Sequence, residues 1–164
     1  MILYLVRHGI AVDPTDPKSP PESERPLTAK GVQKTRAAAL GLRAMRVKPD
    51  VLITSPYVRA AQTAEIFAEA LEFAPEKIRA SDALKPGGNP TEALKEIARL
   101  RAKEVMCFGH APHLDQMIYQ MVGARGVFTS LKKAGVACFE HAASHGKWEL
   151  QWVATPKMLR QLSS

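Results

Sequence analysis

Ile2-Leu3-Tyr4-Leu5-Val6-Arg7-His8-Gly9 opens the chain with five unbroken apolar positions that run into a guanidinium, an imidazole and a glycine. A continuous apolar run, unlike an alternating one, predicts a strand buried on both faces, the situation of parallel sheets covered by helices. Val51-Leu52-Ile53-Thr54 and Glu104-Val105-Met106-Cys107-Phe108 repeat the signature. Between and after them the spacing turns helical. A helix is expected over about 29–46, with Val32, Ala37, Ala38, Ala39, Leu40, Leu42 and Met45 forming its apolar face. A second, over 57–72, carries Ala64, Phe67, Ala68 and Leu71 at helical intervals. A third begins at Asn89-Pro90, a cap residue followed by proline at the first helical position, and would turn Leu94, Ile97 and Ala98 inward. A fourth, over 112–122, repeats the spacing with Leu114, Met117, Ile118 and Met121 and stops at Gly123.

The C-terminal part changes character. Gly135-Val136-Ala137-Cys138-Phe139-Glu140-His141-Ala142 and Lys147-Trp148-Glu149-Leu150-Gln151-Trp152-Val153-Ala154 read as a hairpin at a sheet edge, with a short helical tail after Pro156. Strands alternating with helices predict an α/β fold, a three-layer α/β/α sandwich with a mostly parallel central sheet, as a single domain over 1–164.

Composition sets the bounds. With 164 residues, 46% apolar and a formal net charge of +7, the chain can bury one sizeable core, which excludes disordered and fibrous classes. No apolar run approaches the roughly 18 residues of a membrane-spanning helix, and Arg7 follows too short an apolar stretch for a signal peptide. Cys107 and Cys138 sit inside apolar runs and are expected to be buried free thiols, which with the other features predicts a cytoplasmic protein without a membrane partner. Lys30, Lys34, Arg36, Arg43, Arg46 and Lys48 fall within 30–48 without one acid. That pattern reads as the wet face of an amphipathic helix, and nucleic acid is not expected because no aromatic platform accompanies the charge. Residues 13–26 hold five of the twelve prolines and predict a mobile surface loop near the exit of the first strand.

Ligands of parallel sheets bind beyond the carboxyl ends of the strands, so the residues that follow each strand carry the functional reading. After the first comes Arg7-His8-Gly9, after the second Ser55-Pro56-Tyr57-Val58-Arg59, and after the later one Gly109-His110-Ala111-Pro112-His113. Taken singly, His8 suits a core imidazole, Arg59 a surface residue and His110 a strand terminus. Neighbouring parallel strands lie about 4.8 Å apart, so the side chains could share a pocket, and glycines there would let backbone and ligand approach closely. Arginine forks suit phosphoryl oxygens and an imidazole supplies a nucleophilic nitrogen near neutral pH, so the set points to phosphoryl transfer.

The motifs Arg7-His8-Gly9, Arg25-Pro26-Leu27-Thr28 with Gly31, Ser55-Pro56-Tyr57-Val58-Arg59-Ala60-Ala61-Gln62-Thr63-Ala64 and Gly109-His110-Ala111-Pro112, ordered over nearly the first 125 residues, resemble the histidine phosphatase superfamily. Within it, the small size and Leu84-Lys85-Pro86-Gly87-Gly88-Asn89-Pro90 look most like the SixA-type phosphohistidine phosphatases. The resemblance implies a phosphoglycerate mutase-like fold and no metal or other cofactor. It further implies that His8 attacks phosphorus while Arg7, Arg59 and His110 bind the phosphoryl oxygens, and that water then hydrolyses the phosphorylated His8. The expected partner is a phosphohistidine-bearing protein such as a histidine-containing phosphotransfer domain, met by a monomer and steered by the basic helix 30–48.

One departure matters. Many members of the superfamily carry a glutamate after the second arginine helix, in a Leu-X-Glu setting, where it protonates the leaving oxygen; here Leu84-Lys85 is followed by Pro86. Without an acid an alkoxide leaves poorly, whereas imidazole, with an unperturbed pKa of about 6.5, leaves as a neutral ring. The missing carboxylate therefore favours P–N substrates, unless Asp13, Asp16 or Asp82 replaces it. Other readings are a broad small-molecule phosphomonoesterase or phosphoramidase and a non-catalytic phosphoprotein-binding module. His110, His113 and Asp115 invite a zinc reading, but no cysteine or glutamate cluster completes a tetrahedral site, and Asp115 reads as an early-turn charge. His141 and His145 read as solvent-exposed hairpin residues.

Overall fold

In the computed structural model, residues 1–124, 129–142, 144 and 146–163 are described. One six-stranded sheet runs through the molecule in the order β3-β2-β4-β1-β5-β6. Its strands are β1 (Ile2–Arg7), β2 (Val51–Thr54), β3 (Arg79–Ala80), β4 (Glu104–Gly109), β5 (Val136–Ala142) and β6 (Lys147–Ala154). The first four are parallel, and the β5/β6 hairpin joins antiparallel beside β1, which makes the sheet mixed at one edge. The two-residue β3 carries no apolar run and escapes a reading based on hydrophobic pattern.

Helices cover both faces. α1 (Ala29–Ala44), α2 (Val58–Ala70) and α5 (Pro156–Leu162) lie on one side, where Phe67, Phe108, Leu42 and Leu159 share a core. α3 (Pro90–Arg99) and α4 (His113–Val122) cover the other, around Leu3, Leu5, Ile97, Leu114 and Phe139. This is the expected three-layer α/β/α arrangement. Cys107 and Cys138 are buried free thiols, as expected. Among the described residues no helix is long and apolar enough to cross a membrane.

The inward faces differ from the expected ones in two helices. Val32, Leu40 and Met45 of the α1 region are exposed, while Gly31, Thr35 and Gly41 turn inward with Ala38, Ala39 and Leu42. The reason is close approach: a Cβ on Gly31 would stand 2.0 Å from the Ile10 carbonyl oxygen, and one on Gly41 would stand 2.1 Å from that of Leu159. Backbone crowding, not a broad apolar stripe, thus sets the rotation of α1. In α3 the buried positions are Ala93 and Ile97, and Ala98 faces solvent.

Register aligns the strand exits. Arg7 pairs with Gly109 and Thr54 with Phe108, so His8, Ser55 and His110 leave adjacent strands at one edge of the sheet. The backbone continues the ladder there, with His8 N donating to Gly109 O at 3.0 Å and Ser55 N to Phe108 O at 2.9 Å.

Candidate active site

Because β4 lies between β1 and β2, the residues after all three strands meet. The rings of His8 and His110 lie 5.1 Å apart between centroids, and Arg59 Nε donates to His8 Nε2 at 3.2 Å. All three side chains are buried, with Arg59 only 3% exposed. Arg7 is half-buried and turns to the edge of the site, where its Nη1 donates to Leu131 O at 2.8 Å and its buried Nε meets no partner.

The tautomer of His8 follows from its two neighbours. Gly9 O can only accept, so the ring nitrogen 2.7 Å from it, Nδ1, carries the proton. Nε2 is left with a lone pair, the group that the Arg59 N–H requires. Burial above all pulls the His8 pKa down to about 3; the Gly9 carbonyl opposes it, and the charges of Arg59, Arg7 and Lys133 each add a lesser downward pull. The ring is therefore neutral at physiological pH and presents a nucleophilic Nε2.

His110 sits beside it under the same forces. Burial first, then His8 and Arg59, lower its pKa to about 2. Its Nε2 lies 2.9 Å from Ser55 Oγ, which also accepts from Tyr57 N at 3.3 Å. A Ser55 hydroxyl that donates to Nε2 leaves Nδ1 carrying the ring proton, and that buried nitrogen has no partner among the described residues. A desolvated N–H without an acceptor is costly unless a ligand supplies one. Tyr57 closes the group, with its ring edge-on to His110 and the Arg59 guanidinium 5.2 Å from its centroid.

The remaining motif residues hold the frame. Thr63 Oγ1 accepts from Gly9 N at 3.0 Å and donates to Arg59 O at 2.7 Å, which ties the His8 turn to the arginine helix. Gln62 accepts from Leu27 N, and Thr28 caps α1 by accepting from Gly31 N. Gly9 serves packing more than ligand approach, because a Cβ there would meet Thr35 Oγ1 at 2.3 Å.

The loop 13–26 lies at the surface, as expected, but it is tied to the site at Glu22 and Ser23. Arg59 donates through Nη1 to Glu22 O and through Nη2 to Glu22 Oε1, both at 2.7 Å, and Val58 N donates to Ser23 O. Arg25 grips the same carboxylate through Nε and Nη2 while its Nη1 reaches Val12 O. Glu22 was missed because it lies in a proline-rich stretch; the Arg25-Pro26-Leu27-Thr28 motif that follows was the available signal. Its carboxyl is held below the ordinary range, first by its hydrogen bond from Arg25; burial opposes this, and the charges of Arg59 and Arg25 lower it further.

None of the proposed substitutes for an acid joins this group among the described residues. Asp13 is exposed and accepts from Thr15, Asp16 accepts from Lys18 N, and Asp82 pairs with Lys85. Asp115 is the acidic residue in the first turn of α4, as expected, but it does more there. It is buried and accepts from Thr129 Oγ1 and Leu131 N, fixing the segment whose Leu131 carbonyl receives Arg7. His113 is buried at the start of α4, with the Asn89 carbonyl beside its ring. His141 is half-buried, packed edge-on against Trp148, and His145 lies outside the described residues.

A mostly parallel sheet with two imidazoles and two guanidinium groups at its carboxyl edge defines a phosphoglycerate mutase-like α/β fold. The family model of the histidine phosphatase superfamily (branch 1) matches residues 3–86, and the chain belongs to that superfamily. It is 34% identical over 97% of its length, and 99% of the other chain, to an uncharacterized protein of Picosynechococcus sp.. To the phosphohistidine phosphatase SixA of Escherichia coli it is 25% identical, over 92% of this chain and 93% of that one. The structure of the protein histidine phosphatase SixA complexed with tungstate superposes with a TM-score of 0.82 at 24% identity, covering 96% of this chain and 98% of that one.

Proposed function

We propose that the chain is a phosphohistidine phosphatase that works through a phosphorylated His8. Membership of the superfamily and similarity to SixA support a phosphatase; the P–N substrate is argued from the site. His8 Nε2 attacks phosphorus, a new P–N bond forms, and the P–N bond to the substrate imidazole breaks. The leaving nitrogen takes its proton from solvent. Water then attacks the phosphorylated His8, releasing phosphate and restoring the neutral ring. Arg7, Arg59 and the unpartnered His110 Nδ1 stabilise the charge on the equatorial oxygens, the part a metal plays in other phosphoryl-transfer sites.

One observation carries the substrate class. The carboxylate bonded to Arg59, Glu22, is bound by two arginines that keep it ionised, so it has no proton to give. A site without a proton donor discriminates by leaving group: imidazole departs readily, while an alkoxide, whose conjugate acid is about as weak as water, does not. The expected partner is a histidine-containing phosphotransfer domain, met in the cytoplasm. The test compares phosphate release, in chelator, from such a domain phosphorylated on histidine, from a phosphoserine peptide and from p-nitrophenyl phosphate, with His8→Ala as control. Rapid release from phosphohistidine alone, lost in the variant, is expected; equal rates on phosphoserine would make the protein a general phosphomonoesterase, and no release from any of the three would leave a binding module.

A further inference from the structure

A cleft of about 580 Å³ lies beside this site, bounded by the first half of α1, the 132–134 segment and the start of α5. Its wall carries Arg7, Lys34, Lys132, Lys133, Lys157 and Arg160, and no carboxylate lines it. Elsewhere Arg25, Arg36, Arg43, Arg59, Lys85 and Lys95 all have acidic partners. Among the described residues none of the six cleft cations forms a salt bridge, although Arg7 feels the charge of Asp115 and Lys133 that of Asp13. Like charges gathered around a low-dielectric wall repel one another, so the arrangement is stabilised when a negative occupant arrives.

Three features identify the occupant. The apolar lining of the cleft is Ile10, Ala134 and Pro156, against which an aliphatic stem can lie, and among the described residues no aromatic ring lines the cleft to stack a nucleobase. The cations come from β1, α1, the 132–134 segment and α5, which suits several separate carboxylates better than one compact phosphate. Arg7 belongs both to this cleft and to the group around His8, although His8, Arg59 and His110 do not line it. We propose that the cleft receives an acidic face of the phosphoprotein substrate, its carboxylates seated among Lys34, Lys132, Lys133, Lys157 and Arg160 while the phosphoryl group reaches past Arg7 to His8. The inference rests on the reading of the site as one that accepts phosphoryl groups from a protein. It places docking on the cleft rather than on the outer face of α1, where Arg36 and Arg43 are already paired with Glu69 and Glu72.

The test uses the full chain with K34E/K157E/R160E, three side chains away from His8, beside the unaltered protein. At low salt, KM for the phosphohistidine-bearing phosphotransfer domain should rise about tenfold or more and lose its salt dependence, while kcat/KM for free phosphohistidine stays within about twofold. An unphosphorylated glutamate-rich helical peptide should shift the amide resonances of Thr35, Ala134 and Thr155 in the unaltered protein and not in the variant. Unchanged KM with free phosphohistidine still turned over would overturn the docking inference and leave the phosphatase reading standing. If neither phosphohistidine substrate were turned over, the phosphatase reading would fail and the peptide alone would decide the cleft. A single-stranded oligonucleotide that displaces the peptide and binds more tightly would also overturn it.

Discussion

Arg59 faces two ways: its Nε donates to His8 Nε2 at 3.2 Å, and its Nη2 donates to Glu22 Oε1 at 2.7 Å. The carboxylate holds the planar fork so that one edge meets His8, the nucleophile of the proposed mechanism, and its charge would oppose the arrival of a phosphoryl group. Glu22→Gln should therefore tighten vanadate binding several-fold and lower kcat only about two- to tenfold, equally for phosphohistidine and p-nitrophenyl phosphate. A loss confined to the phosphate ester would instead identify Glu22 as a proton donor.

His8 should stay neutral far below the usual imidazole range. Its folded pKa of about 3 and the value of about 2 at His110 both lie under the unfolded value of about 6.5. The unfolded chain then takes up protons that the folded chain does not, so this stability is complete above about pH 6.5 and is lost as the pH falls toward 3. Each group contributes a slope of about 1.4 kcal/mol per pH unit between pH 5 and 6. Urea unfolding across that window should show a slope smaller by one group in His110→Gln, and nitrogen NMR should find His8 Nε2 unprotonated at pH 5. Protonation near 6.5 would contradict the buried, neutral nucleophile.

Thr63 is the hinge between nucleophile and arginine. Thr63→Val leaves Gly9 N without its acceptor in a buried setting, which should cost about 1–3 kcal/mol in urea unfolding and lower kcat. Thr63→Ser keeps the hydroxyl and should restore most of the activity; failure of the serine variant to do so would assign the residue to packing.

Asp115 acts on Arg7 at one remove. Asp115→Asn leaves the side chain with an oxygen for only part of its duty to Thr129 and Leu131, so the Leu131 carbonyl should loosen its hold on Arg7. KM and the vanadate dissociation constant should rise together, by about tenfold, with kcat less affected. An unchanged vanadate affinity would separate Asp115 from the anion site.

Much of this was legible in the sequence because strand burial and strand exit are local properties. The apolar runs ending at Arg7, Thr54 and Phe108 located β1, β2 and β4, and parallel geometry alone brought His8, Arg59 and His110 together. What escaped depends on approach between distant segments. The rotation of α1 is set by Gly31 against Ile10, and Glu22, in a loop with no periodicity, reaches Arg59 from 37 positions away, on the far side of α1 and β2. Asp115 is the early-turn charge expected, but its second duty was hidden because its partners, Thr129 and Leu131, lie beyond the end of its own helix.

The central claim is that His8 Nε2 carries the phosphoryl group, and rapid quenching tests it most directly. The protein is mixed with a phosphotransfer domain labelled with radioactive phosphate on histidine, stopped in alkali within milliseconds and digested for mass spectrometry. The account predicts alkali-stable, acid-labile label on the peptide holding His8, formed faster than phosphate is released and absent from His8→Ala. Turnover that persists in His8→Ala, or that proceeds with no label on the protein, would contradict it.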